Sequence, residues 1–236
     1  DRFVQLGAHK DKVHAVGNLK YEISLPASVI ERAESIRALW GNRSVFIAAS
    51  THEGEEELIL DAARKIRGQF RDLLLIIVPR HPERFDRVTA LCRRSGLNTL
   101  RRSDGKPCSS QVQALVVDSM GELSVFYGTA DVAFVGGSLV NHGGHNILEP
   151  AALSRPVITG PHYFNFLEIT RQFLEHHAAI EVKNTEQLAD SVIALLKDPQ
   201  RRAEMGDAGK HLIEQSKGAS QRLLNLIDVH ISHVQR

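Results

Sequence analysis

The chain has 236 residues, 42% of them hydrophobic and 24% charged, with 29 Lys and Arg against 28 Asp and Glu for a formal net charge of +1. That length holds one large domain or two small ones with a sizeable core. The near-neutral balance argues against a general nucleic-acid binder, no apolar run approaches a membrane span, and Cys92 and Cys108 form neither a disulfide framework nor a metal spacing, as in a reducing compartment.

The chain opens Asp1-Arg2-Phe3, with no methionine and no signal-peptide pattern, which is the expectation for a piece of a longer protein. Val13 to Gly17 is a short apolar run closed by the turn signal Gly17-Asn18, so residues 1–24 read as a strand within a leading segment. Ser28 to Trp40 carries Val29, Ala33, Ile36 and Leu39 at helical spacing after a possible Ser28 cap. Ser44 to Ala49 reads as a buried strand. Glu55 to Phe70 reads as a helix with acids early and bases late, as the helix dipole favours. Leu73 to Val78 is a second continuous apolar run, typical of a strand buried on both faces of a parallel sheet.

Pro82 to Arg94 predicts a helix, Asn98 to Arg101 a short strand, and Gly105 to Ser110 a turn-rich loop. Ala114 to Val117 predicts a strand, Glu122 to Gly128 a helix, Val132 to Val135 a strand and Asn146 to Leu153 a helix. Pro156 to Thr159, Phe164 to Glu175 and Ala179 to Val182 predict strand, helix and strand. Three helices close the chain over about 185–196, 199–215 and 219–234. Such sustained alternation predicts an α/β fold, a Rossmann-like parallel sheet flanked by helices, with ligands at the carboxyl ends of the strands.

Each strand end carries polar residues that admit two readings. Val135 to Pro150 runs V-G-G-S-L-V-N-H-G-G-H-N-I-L-E-P. Its glycines let backbone amides approach a ligand, and a helix start at Asn146 would add unpaired amides, together a seat for a phosphate. The plainer reading is a Gly-rich loop with Glu149 closing a capping box on Asn146. Thr51 suits an N-cap, with a ligand contact from Ser50, Thr51 or His52 as the other reading. Ser119 to Glu122 fits a capping box whose Met120, Gly121 and Glu122 amides could instead bind a base edge or phosphate. Arg80 between Pro79 and Pro82 suits either a phosphate or a surface ion pair. His142 and His145 lack the companions of a metal site and read instead as polar loop histidines that touch ligand or simply solvent. Phe164 and Phe166 suit a pocket lid or the core.

In this order, P-R-H-P-E-R at 79–84, D-S-M-G-E-L at 118–123, G-G-S-L at 136–139 and G-G-H-N-I-L-E-P at 143–150 resemble the 3-deoxy-D-manno-octulosonic acid (Kdo) transferases of lipopolysaccharide synthesis. G-N-L-K-Y at 17–21 and S-T-H-E-G-E-E at 50–56 fit the same family. The resemblance covers nearly the whole chain but only the C-terminal half of the family's proteins.

It implies the donor-binding half of a two-domain GT-B glycosyltransferase, with residues 1–24 a linker from an N-terminal domain. Residues 25–236 would form the CMP-Kdo domain, and 219–236 a helix that could pack back toward the other half. By position it implies CMP contacts from Pro79 and Arg80, from Met120, Gly121 and Glu122, and from Asn146, Ile147, Leu148 and Glu149. Gly137, Ser138 and His142 would line the pocket. The implied reaction is inverting transfer of Kdo to a lipid A precursor, without a cofactor or metal ion. The acidic catalytic base, acceptor surface and membrane association would belong to the N-terminal half at the cytoplasmic face of the inner membrane. Two alternatives stay open: half of another GT-B enzyme, such as a UDP-sugar transferase or epimerase, and a non-enzymatic partner-binding domain.

Overall fold

The computed structural model describes residues 2–234. Its strands are β1 (Val45–Thr51), β2 (Leu74–Pro79), β3 (Thr99–Arg101), β4 (Ala114–Val116), β5 (Val132–Val135), β6 (Val157–Thr159) and β7 (Ala179–Glu181). They form one sheet in the order β3-β4-β2-β1-β5-β6-β7, with every neighbouring pair parallel. The helices are α1 (Arg2–Gln5), α2 (Ala27–Leu39), α3 (Glu55–Arg67), α4 (Phe85–Arg94), α5 (Leu123–Thr129), α6 (Leu148–Ala152), α7 (Leu167–Glu175), α8 (Thr185–Lys197), α9 (Pro199–Ser216) and α10 (Ala219–Val234). The strand-helix alternation read in the sequence is this α/β sheet.

The unbroken apolar runs have a direct cause. Side chains alternate between the faces of a strand, so a strand covered on both faces needs apolar residues at every position. In β1, Phe46 and Ala48 join a core with Ile59, Ala63 and Ile66 of α3 and Leu188 and Val192 of α8. Val45, Ile47 and Ala49 join a second core with Trp40, Phe126 and Tyr127.

Several local expectations differ. Residues 13–18 form no strand. The N-cap of α2 is Pro26 rather than Ser28, and Leu39 is 83% exposed. Thr51 lies in β1, its hydroxyl donating to Glu56 Oε1 at 2.9 Å, while α3 starts after Gly54. Ser119 donates to the Glu122 side chain, but α5 begins without a side-chain cap, so the capping-box pattern there is a side-chain pair only. The helix expected from Asn146 is the five-residue α6.

By contact density, Leu25–His211 is one compact unit, and Asp1–Ser24 with Leu212–Arg236 is another. Within the second, Glu22 Oε1 accepts the amides of Gly218 at 2.7 Å and Ser220 at 3.2 Å, capping α10. Arg222 Nε donates to the Val16 carbonyl at 2.9 Å. Positions 235 and 236 of the expected 219–236 helix lie outside the described residues.

Candidate functional site

Strand β1 sits at the switch in strand order, with β2 on one side and β5 on the other. The connection out of β1 runs toward β2 and the one out of β5 runs toward β6, so they part in opposite directions and open a crevice at the carboxyl ends of β1 and β5. A hollow of about 360 Å³ lies there, lined by Ser50, Arg80, Leu123, Tyr127, His145, Asn146, Glu149 and Phe166.

The glycine loop after β5 has a different task from the one read in the sequence. Glu55, at the start of α3, sends a fully buried carboxylate into it. Its Oε2 accepts the Gly137 amide at 2.8 Å and the His52 amide at 3.3 Å; its Oε1 accepts those of Ser138 at 3.1 Å and Leu139 at 3.0 Å. Burial pushes this carboxyl up, while the amides pull it back. A Cβ on Gly136 would stand 2.6 Å from Glu55 Oε2 and 2.7 Å from the Ser50 carbonyl, so only glycine lets the loop close. The amide cradle expected for a phosphate is therefore filled, over 137–139, by the chain's own carboxylate.

Of the three residues expected to line the pocket, none borders the hollow. Ser138 is fully buried, donating to the Val135 carbonyl at 2.6 Å and accepting the Gly160 amide at 2.8 Å. Gly137 lies beneath the rings of His145 and His52. His142 stacks on His52 with ring centroids 4.2 Å apart. His145, a loop histidine read as touching ligand or solvent, does line the hollow, and its Nε2 lies 2.7 Å from His52 Nε2. Burial, then neighbouring cationic groups, lowers both rings to about 4; for His145 the first of these is Arg80. Among the described residues, no group of three or more His, Cys, Asp or Glu side chains is placed to hold a metal.

The other candidates fall into three sets. Pro79 ends β2, and the Arg80 amide donates to the Thr51 carbonyl at 3.0 Å. The exposed Arg80 side chain borders the hollow and makes no ion pair among the described residues. Asn146 and Glu149 share the hollow with it. The Asn146 Oδ1 accepts the Leu148 amide at 3.1 Å, so that amide is already engaged. Ile147 and Leu148 face the core. Glu149, whose pKa burial raises, is loosely held by Ser124 and Asn146, each at 3.4 Å. Met120, Gly121 and Glu122 do not line the hollow; they precede Leu123, which does. Met120 is 68% exposed, and Gly121 has a left-handed φ of +79° with open space beside it. The Glu122 carboxylate is engaged by Ser119, by Arg32 at 2.7 Å and by Arg102 at 3.2 Å. Phe166 borders the hollow, while Phe164 is exposed against Gly143, so neither aromatic is core.

The family "Glycosyl transferases group 1" matches residues 31–212. A 3-deoxy-D-manno-octulosonic acid transferase of Haemophilus influenzae is 44% identical over 232 residues, covering 98% of this chain and 54% of the relative. One from Bordetella pertussis is 34% identical, covering 96% of this chain and 53% of the relative. The chain thus spans about half the length of these relatives. The crystal structure of the C-terminal CMP-Kdo binding domain of WaaA from Acinetobacter baumannii superposes with a TM-score of 0.76 at 40% identity, covering 80% of this chain and all of that one. Anabaena HepE in complex with UDP-glucose, 14% identical with a TM-score of 0.63 over 98% of this chain and 60% of its own, shares the fold. The chain belongs to the group 1 glycosyl transferases, among the 3-deoxy-D-manno-octulosonic acid transferases, and corresponds to their C-terminal domain.

Proposed function

We propose that the hollow at the end of β1 binds the nucleotide of CMP-Kdo, and that the chain is the donor half of an inverting glycosyltransferase acting on a lipid A precursor. The observation that carries this is the convergence of Arg80, Asn146 and Glu149 on one polar hollow at the sheet's switch point. The Arg80 guanidinium, without an ion-pair partner among the described residues, supplies a planar fork of donors for phosphate. The Glu149 carboxylate, weakly held at 3.4 Å on both oxygens, is open to stronger partners such as ribose hydroxyls. Met120 to Glu122 offer exposed backbone near the hollow's rim, where a cytosine edge would sit, with Gly121 giving the turn its left-handed step. Charge that builds on the departing phosphate would be met by Arg80 in a preorganised site. The acceptor, the acidic base and membrane association at the cytoplasmic face of the inner membrane belong to the other half of the enzyme in this reading. Among the described residues no helix is long and apolar enough to cross a membrane.

Calorimetric titration with CMP tests this. The native chain should bind, and Arg80→Ala and Glu149→Ala should each weaken binding by roughly tenfold or more. Unchanged affinity in both variants, or preference for UMP over CMP, would overturn the assignment.

A further inference from the structure

The His52–His145 contact has a chemical property that a general polar lining lacks. Two imidazole nitrogens 2.7 Å apart can share only one proton: one ring donates and the other accepts. A further proton can join an outer Nδ1 without breaking the bond. A second would set two N–H groups head to head. The pair therefore has a capacity of one. His145 borders the hollow and His52 lies behind it at the end of β1, nearly coplanar with it at 3°.

The surroundings tie this capacity to phosphate. Arg80 and His81 reach the pair from the turn after β2, Arg84 from the turn before α4, and His142 from the loop after β5. The acidic neighbours are Glu55 of α3, whose carboxylate is taken by amides including that of His52, and Glu149 of α6 across the hollow. We propose that His52 and His145 act together as a single proton acceptor for the nucleotide phosphate, neutral in the free protein and singly protonated in the CMP complex. This rests on the reading of the hollow as a CMP site. In the free protein, burial first, then the neighbouring histidines for His52 and Arg80 for His145, lower both rings to about 4. A negative charge roughly 5 Å away in an effective dielectric of about 20 raises such a group by about two pK units, and a phosphate dianion brings two. In transfer, the bond from the sugar to the phosphate oxygen breaks with its electron pair left on that oxygen. The two histidines together then take one proton from solvent as the second negative charge appears on the phosphate, which keeps the electron pair.

Calorimetry of the 236-residue chain with CMP at about pH 7, in two buffers of different ionisation heat, counts the protons taken up. The native chain should take up about half to one proton per CMP and about none with cytidine, which lacks the phosphate. His145→Gln should take up about none and bind CMP roughly tenfold more weakly. CMP binding without proton uptake overturns this proposal and leaves the CMP site standing. Equal uptake with cytidine, or full uptake in His145→Gln, overturns it as well. Absence of CMP binding overturns both readings. The native comparison decides without any variant.

Discussion

The carboxylate of Glu55 stands 2.8 Å from the amide of Gly137 and ties the loop that leaves β5 to the helix that follows β1. These are the two connections that flank the crevice, so this one side chain sets the spacing of its walls. Glu55→Gln keeps the shape but places an NH₂ group where an oxygen accepts amides. The expected cost is about 2–4 kcal/mol in urea unfolding, because buried donors are left facing a donor. A loss below half a kcal/mol would show that the contact does not hold the loop.

Gly136→Ala attacks the same junction by volume. Its Cβ would meet both Glu55 Oε2 and the Ser50 and Ala49 carbonyls within 3.0 Å. Two of these are backbone atoms that cannot swing away, so a loss of about 1–3 kcal/mol is expected. Thermal unfolding should show it.

Arg80→Lys separates charge from geometry. Lysine keeps the positive charge but loses the planar fork. CMP affinity should fall to a level between the native chain and Arg80→Ala, about tenfold below native. Equal affinity in Arg80→Lys and native protein would mean that charge alone suffices.

The histidine pair sets a pH dependence of stability. Burial lowers each ring from the ordinary 6.5 to about 4 in the folded chain. Between those values the unfolded chain binds more protons than the folded one, so protonation favours unfolding. Stability is fully present above about pH 6.5 and is lost as the pH falls toward 4. Urea midpoints measured from pH 7.5 to 4.5 should drop over that interval, and the drop should be shallower in His145→Gln. A flat profile in the native chain would contradict the pairing.

Glu22 caps α10 through the amides of Gly218 and Ser220. Glu22→Ala should weaken this helix start by about 1 kcal/mol. The change is read as faster hydrogen exchange at those two amides, with little change at β1.

The fold was legible because its signals are local. A strand covered on both faces announces itself as an apolar run, and β1, β2 and β5 were read within a residue or two of their ends. The site was legible where a single residue type at a strand end suffices, as for Arg80 and Glu149. It was not legible where an interaction joins distant segments. Glu55 follows a strand in an acidic run that looks like an ordinary helix start, and its partner Gly137 is 82 positions away. The glycine loop showed that amides would gather around an anion, but nothing local says the anion belongs to the chain itself. The pairing of His145 is illegible for the same reason: its partner His52 is 93 positions distant. The helix expected over Asn146 to Leu153 differs mainly at its start: α6 begins at Leu148, whose amide is taken by the Asn146 side chain.

The walls of the hollow come from separate segments: Ser50 at the end of β1, Arg80 after β2, Leu123 and Tyr127 of α5, His145, Asn146 and Glu149 after β5, and Phe166 after β6. The strands beneath them are buried on both faces. Divergence therefore has two speeds within one chain. An exposed residue in a turn can be exchanged with little effect on the sheet, whereas each residue of β1 from Val45 to Ala49 is packed into one of the two cores. Recognition in this architecture can drift by editing one rim segment at a time over an unchanging floor.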